Sequence, residues 1–187
     1  MRTEIEWKFV LGGTCLYGDE ARARVVQDLR WSVTPVTWAQ ANFESPTGDP
    51  YSPLTGLTQK EALELSARLG ARLPTSVEWE WMSGGDERRL FPWGNDEWDS
   101  RKANLRPSLL GTVTRVGSFP DGATPEGIQD VAGNVWEWTS SLVPHGGAII
   151  RGGSYNSHVT YAQTRFLNAA PRELSSKGIG FRLAKKP

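Results

Sequence analysis

Between residues 84 and 147 the chain is rich in Gly, Pro, Asn, Asp and Trp, with neither a helical nor an alternating apolar pattern. Loops longer than about 12–15 residues are uncommon inside a compact domain and are normally functional or held by something extra. The fold must therefore carry a long ordered loop region, with regular elements confined to its flanks. Nine Trp supply the means. Each can bury on the order of 150–250 Å², enough for a few large side chains to stabilise a loop-rich core. Most of the Trp are accordingly expected to pack in the interior.

Three short helices are predicted by one start signal, a Thr followed three residues later by Gln or Glu, which caps the first turn from both sides. These are Thr37–Gln40, Thr58–Glu61 and Thr75–Glu78. The second continues through Ala62, Leu65 and Leu69 at helical spacing to Gly70, which suits a left-handed C-terminal position. The third follows Pro74 and runs through Trp79 and Met82 to Gly84-Gly85. Strand signals fall at residues 25–33, at Ala148–Arg151 and at residues 180–183.

With 187 residues and no repeat or linker, the expectation is a single domain over 1–187. Lys plus Arg equals Asp plus Glu at 21 each, so no net field favours nucleic acid or an anionic membrane. No run approaches the roughly 20 apolar residues that span a bilayer, and residues 1–6 carry acid without an apolar leader. A cytoplasmic location is the default expectation. Cys15 is the sole cysteine, which excludes an internal disulfide and a protein dithiol.

Eight short segments, in order, resemble the family of sulfatase-modifying factors, which includes formylglycine-generating enzymes and the sulfoxide synthases of ergothioneine-type pathways. They are residues 34–37 (TPVT), 71–80 (ARLPTSVEWE), 91–95 (FPWGN), 103–104 (AN), 116–120 (VGSFP), 133–138 (GNVWEW), 151–155 (RGGSY) and 179–182 (IGFR). The resemblance implies an α+β fold of the C-type-lectin-like kind, with a small twisted antiparallel sheet, few short helices and long ordered loops. In similar family members the positions of Asp130, Gly133, Val135 and Glu137 hold a structural calcium ion, a hard cation that takes 6–8 oxygen ligands. The alternative for Glu137 is to accept hydrogen bonds with no metal. A second calcium site of the family would begin at Asn104 and the carbonyl of Leu105. It lacks its acidic ligand, since residues 106–117 hold no Asp or Glu.

The oxidases of the family bind copper(I), a soft ion suited to thiolates, through two cysteines whose positions here are Ser157 and Ala162. Copper chemistry is thus not expected. The ergothioneine-type branch uses iron held by three His, and this chain has only His145 and His158, neither in a ligand spacing; iron is not expected either. What remains is a pocket lined by Trp136, Arg151, Ser154, Tyr155, Ser157, His158, Tyr161 and Arg165, whose aromatic walls and convergent donors suit a peptide, a small polar molecule or a partner protein. Arg182, and alternatively Arg151, would instead cap loop carbonyls and pair with core carboxylates. The leading expectation is a binding protein without thiol oxidase chemistry. Its alternatives are a tailoring enzyme of altered iron- or Tyr/His-based chemistry and a retroelement-diversified binder that varies residues 155–177.

Overall fold

The computed structural model describes residues 4–144 and 146–187. Nine strands and two helices follow in chain order: β1 (Trp7–Val10), β2 (Gly13–Tyr17), β3 (Arg22–Val26), β4 (Leu29–Ser32), α1 (Gln59–Arg68), α2 (Ser76–Gly84), β5 (Trp136–Leu142), β6 (Ala148–Arg151), β7 (Asn168–Ala170), β8 (Ile179–Gly180) and β9 (Ala184–Lys185). They form three small sheets, ordered β1-β4-β9, β2-β3 and β7-β6-β5-β8. All pairs are antiparallel except β5 with β8. The α+β class inferred above holds, with one parallel pair added to the antiparallel set.

Both full helices start as their boxes predict. Thr58 accepts from the amide of Glu61 while Glu61 returns to Thr58 N at 2.8 Å, and Thr75 with Glu78 repeats the arrangement at α2. At the end of α1, Gly70 at φ +73° lets its own amide reach Ala67 O and that of Ala71 reach Ser66 O. Those two bonds close the helix in the Schellman manner.

The box at Thr37 forms without a helix. Thr37 N donates to Gln40 Oε1 (3.0 Å) and Gln40 N to Thr37 Oγ1 (3.2 Å). A single turn then ends at Asn42, whose φ is +57°. No apolar residues follow at helical spacing to bury a second turn, and a lone turn repays little of its nucleation cost. Residues 25–33 likewise divide. β3 ends at Val26 and β4 starts at Leu29, because Gln27-Asp28 turns the chain and Asp28 Oδ1 accepts the amide of Gly12 at 2.8 Å. The long irregular stretch is also shorter than its composition suggests, since β5 occupies 136–142 within it. Trp136, Trp138 and Thr139, residue types that favour strands, drive it despite its Gly-rich approach.

The core has three parts. One gathers Leu54, Leu65, Leu73, Trp138, Ile150 and Phe181 between α1 and the β5–β6 sheet. A second centres on Trp31, Trp79 and Met82. A third, under the loops, contains Phe91, Leu105, Ala132 and Ala162. Trp31, Trp79 and Trp138 are wholly buried, whereas the other six Trp are only partly buried, so fewer Trp fill the interior than the composition predicted.

Candidate functional site

β5 and β6 run side by side with Glu137 opposite Arg151. Strand alternation sends both side chains inward, where each finds an opposite charge elsewhere. Arg182 grips Glu137 with Nε to Oε2 and Nη2 to Oε1, each at 2.7 Å, and Trp79 Nε1 adds a bond to Oε2 at 2.6 Å. Arg182 also donates to the carbonyls of Ser32, Val33, Gln129 and Asp130. Arg151 pairs with Glu80 of α2, stacks over the Trp79 ring at 5.2 Å and donates to the carbonyls of Arg165 and Phe166. Its Nε has no hydrogen-bond partner among the described residues. Trp79 thus touches both pairs, by its N–H on one side and its ring on the other.

The carboxylate of Asp130 is buried, with one hydrogen bond among the described residues, from Gly117 N at 2.5 Å. Burial pushes its pKa up to about 6; the Gly117 amide and the Arg182 charge oppose the rise, and the Glu137 charge adds to it. A buried carboxylate so thinly compensated fits a hard cation. A carboxylate offers about four lone-pair positions, and Glu137 uses three of them. One lone-pair position on Glu137 Oε1 is therefore left over, while the Gly133 carbonyl accepts the amide of Val135 at 2.8 Å. Among the described residues no three His, Cys, Asp or Glu side chains gather as a metal-binding group. Asn104, named above for a second calcium site, instead donates to Thr112 O (2.8 Å) and Asn134 Oδ1 (3.2 Å). Thr114 N also donates to Asn134 Oδ1 at 2.9 Å, so two amide side chains stitch the loops together.

At the surface, Trp136, Tyr161 and Phe166 form an aromatic ridge. Tyr161 and Phe166 lie 4.8 Å apart between centroids, and Trp136 lies 6.4 Å from each. Tilted rings at these separations are the favoured arrangement of aromatic quadrupoles. One recess beside the ridge, of about 440 Å³, is lined by Trp136, Ser154, Tyr155, Asn168, Leu174 and Lys177 among others. A second, of about 570 Å³, adjoins Phe166 and includes Tyr17, Arg24 and Arg165.

The eight side chains expected to line one pocket therefore separate. Trp136, Ser154 and Tyr155 share the first recess, Tyr161 stands on the ridge, and Arg165 faces the second recess. Arg151 is corrected from pocket wall to interior: it is fully buried, because Glu80 and two carbonyls draw it under the surface. Ser157 is buried too, its Oγ accepting the amide of Ser154 at 2.9 Å. His158 is turned outward to cap the 3-10 turn Val159–Ala162, with Nδ1 3.1 Å from Thr160 Oγ1. His145 lies outside the described residues. Glu80 and Phe166 escaped the sequence reading. Glu80 stood in a family segment without a visible partner, and nothing local in residues 163–167 marks Phe166 as the neighbour of Trp136.

The two cysteine positions of the oxidases are thus buried positions, with Ser157 hydrogen-bonded and Ala162 packed among Phe91, Leu105 and Ala132. Cys15 does not supply a thiolate. Burial pushes its thiol up to about 11, with Glu80 adding to the rise and Arg151 and Arg88 opposing it. A thiol reacts and binds metal as thiolate, and this one stays protonated at neutral pH. No helix among the described residues is long and apolar enough to cross a membrane.

Comparison with known proteins gives a consistent kinship. Residues 8–187 match the sulfatase-modifying factor enzyme 1-like domain. The hercynine oxygenase of Mycolicibacterium thermoresistibile is 41% identical over 96 residues, which cover 49% of this chain and 21% of that protein. The chain spans about a fifth of that relative's length. The expectation against iron draws no support from such a relative. The inactive C-alpha-formylglycine-generating enzyme 2 of Bos taurus is 28% identical over 213 residues, 98% of this chain and 69% of its own length. Among solved structures, PvdO from Pseudomonas aeruginosa superposes with a TM-score of 0.80 at 18% identity, over 98% of this chain and 95% of that one. The match over nearly the whole chain, on a fold that carries the eight family segments, places this protein in the sulfatase-modifying factor enzyme 1-like domain family.

Proposed function

We propose that this domain is a binding module that receives a peptide, a small polar molecule or a segment of a partner protein across the ridge of Trp136, Tyr161 and Phe166, without copper–thiol oxidase chemistry. One observation carries the reading. The positions where such an oxidase needs thiolates are Ser157 and Ala162, buried and engaged, while the aromatic ridge above them stays accessible between two recesses. Exposed aromatics beside a concave polar surface are what a ligand's apolar groups dock on. A relative described as inactive is in keeping with this use of the fold.

The test is isothermal titration of a peptide array's best binder against the native chain and Trp136→Ala and Tyr161→Ala variants. Each truncation is expected to weaken binding about tenfold or more with the melting temperature little changed. Stoichiometric copper or iron in the purified protein, together with oxygen uptake on thiol or histidine-derived substrates, would overturn the reading in favour of an oxygenase.

We further propose that a calcium ion settles beside Asp130, held by its carboxylate, the Gly133 and Val135 carbonyls and the free position on Glu137 Oε1. Thin compensation of the buried Asp130 supports this. Because Glu137 is already committed to Arg182, Asp130→Asn is the cleaner probe. Added Ca²⁺ should raise the melting temperature of the native chain and leave that of Asp130→Asn unmoved. An equal response in both removes the site.

A further inference from the structure

The recess beside β3 has a charge pattern that the ridge does not explain. The register pairs Tyr17 with Arg22 and Cys15 with Arg24, and directly opposed residues of a strand pair point to the same face. Tyr17, Arg22 and Arg24 therefore rise together along one wall, facing Arg165, Phe166 and Leu167 across the gap. Arg22 is paired with Glu20. Arg24 gives one guanidinium N–H to the carbonyl of Ala23 at 3.0 Å. Neither Arg24 nor Arg165 has a carboxylate partner among the described residues. Asp19 and Glu20, at the turn, are the opposing charges on the rim, and Arg22 engages the second of them.

Both walls are anchored to the same buried ion pair. Glu80 Oε1 accepts the amide of Gly18 at 2.8 Å on one side. Its partner Arg151 donates to the carbonyls of Arg165 (3.3 Å) and Phe166 (2.9 Å) on the other. The spacing between the walls is thus fixed from below, and a slot held at its working width costs a ligand less in ordering. β3 adds main-chain capacity. Among the described residues it pairs only with β2, and Arg22, Ala23, Arg24 and Val25 are all exposed. Such an edge presents unpaired N–H and C=O groups to an extended chain.

We infer that this slot takes an extended peptide bearing acidic side chains, with Arg24 and Arg165 selecting the charge. The inference rests on the proposed function of the domain as a binding module and names a ligand class for the slot beside the ridge.

Fluorescence anisotropy of labelled hexaglutamate and hexaglutamine against the full chain tests it. The native protein should bind hexaglutamate about tenfold more tightly, and the gap should narrow as salt rises from about 50 to about 300 mM. An Arg24→Gln/Arg165→Gln double variant should keep its melting temperature and bind both peptides alike. An absent preference in the native protein, or one that survives in the double variant, overturns the inference. Trp136→Ala separates the two claims, since Trp136 does not line the slot. If it weakens both peptides while the native protein shows no charge preference, the ridge stands and the slot falls. If it changes nothing while the double variant loses the preference, the slot stands and the ridge falls.

Discussion

Arg182 with Glu137 and Arg151 with Glu80 are the same chemistry at two degrees of completion. Both arginines are fully buried and both carboxylates nearly so. Arg182 uses Nε, Nη1 and Nη2, and Glu137 answers with both oxygens. Arg151 reaches its carboxylate through Nη2 alone and leaves Nε without a partner. A buried charge pair is tolerated when geometry and added hydrogen bonds offset desolvation. The first pair meets that condition and joins β4, β5 and the chain's final segment. The second meets it less fully, under the segment that walls both the ridge and the slot. Arg182 thus engages all three of its guanidinium nitrogens, whereas Arg151 leaves one donor over.

The contrast can be broken in order of expected effect. Arg182→Met leaves the wholly buried Glu137 charge without its counter-ion, with only the Trp79 N–H to answer it, and urea unfolding should show a loss of about 3–5 kcal/mol. Arg151→Met should cost less, about 2–3 kcal/mol, since Glu80 keeps the Gly18 amide. Equal losses in the two variants would erase the distinction. Asp130 adds a pH test. Its folded pKa, about 6, lies above the ordinary value of 3.8. Its favourable contribution is therefore complete below about pH 4 and is lost as pH rises through about 6. In chelator, Asp130→Asn should gain on the native chain by on the order of 2 kcal/mol between pH 4 and pH 7.5. A constant difference across that range would refute the assignment. The smallest effect concerns Trp79. Double-mutant cycles of Trp79→Phe with each arginine variant should give couplings of about 0.5–1.5 kcal/mol to both pairs. A null coupling to Arg151 would mean that the ring contact carries no energy.

Local chemistry was legible from the chain wherever its partners lay within a few residues. The boxes at Thr58 and Thr75, the stop at Gly70 and the strand at Ala148–Arg151 all formed as read. The box at Thr37 shows the limit, because its two hydrogen bonds formed and the helix did not. A cap decides where a helix starts, whereas burial of the following turns decides whether one exists. Family segments located Arg151 and Glu137, and the pairing role offered for Arg182 matches its grip on Glu137. The partner of Arg151, Glu80, lies 71 residues away, and the strand-to-helix packing that joins them has no local signature. The candidate pocket divided for the same reason. Residues that are neighbours along 154–165 are sorted by burial into interior, ridge and two separate recesses.

The position of Arg182 also sets a timetable for folding. Its side chain reaches back 150 residues to the carbonyl of Ser32 and 45 residues to Glu137. Until that segment has been synthesised, the carboxylate of Glu137 has no cation to accompany it into the interior, and β5 cannot close over the core without stranding a charge. Contacts of such sequence separation come late and slowly. Purified chains ended before residue 182 should therefore remain protease-sensitive, while the 187-residue chain acquires protection.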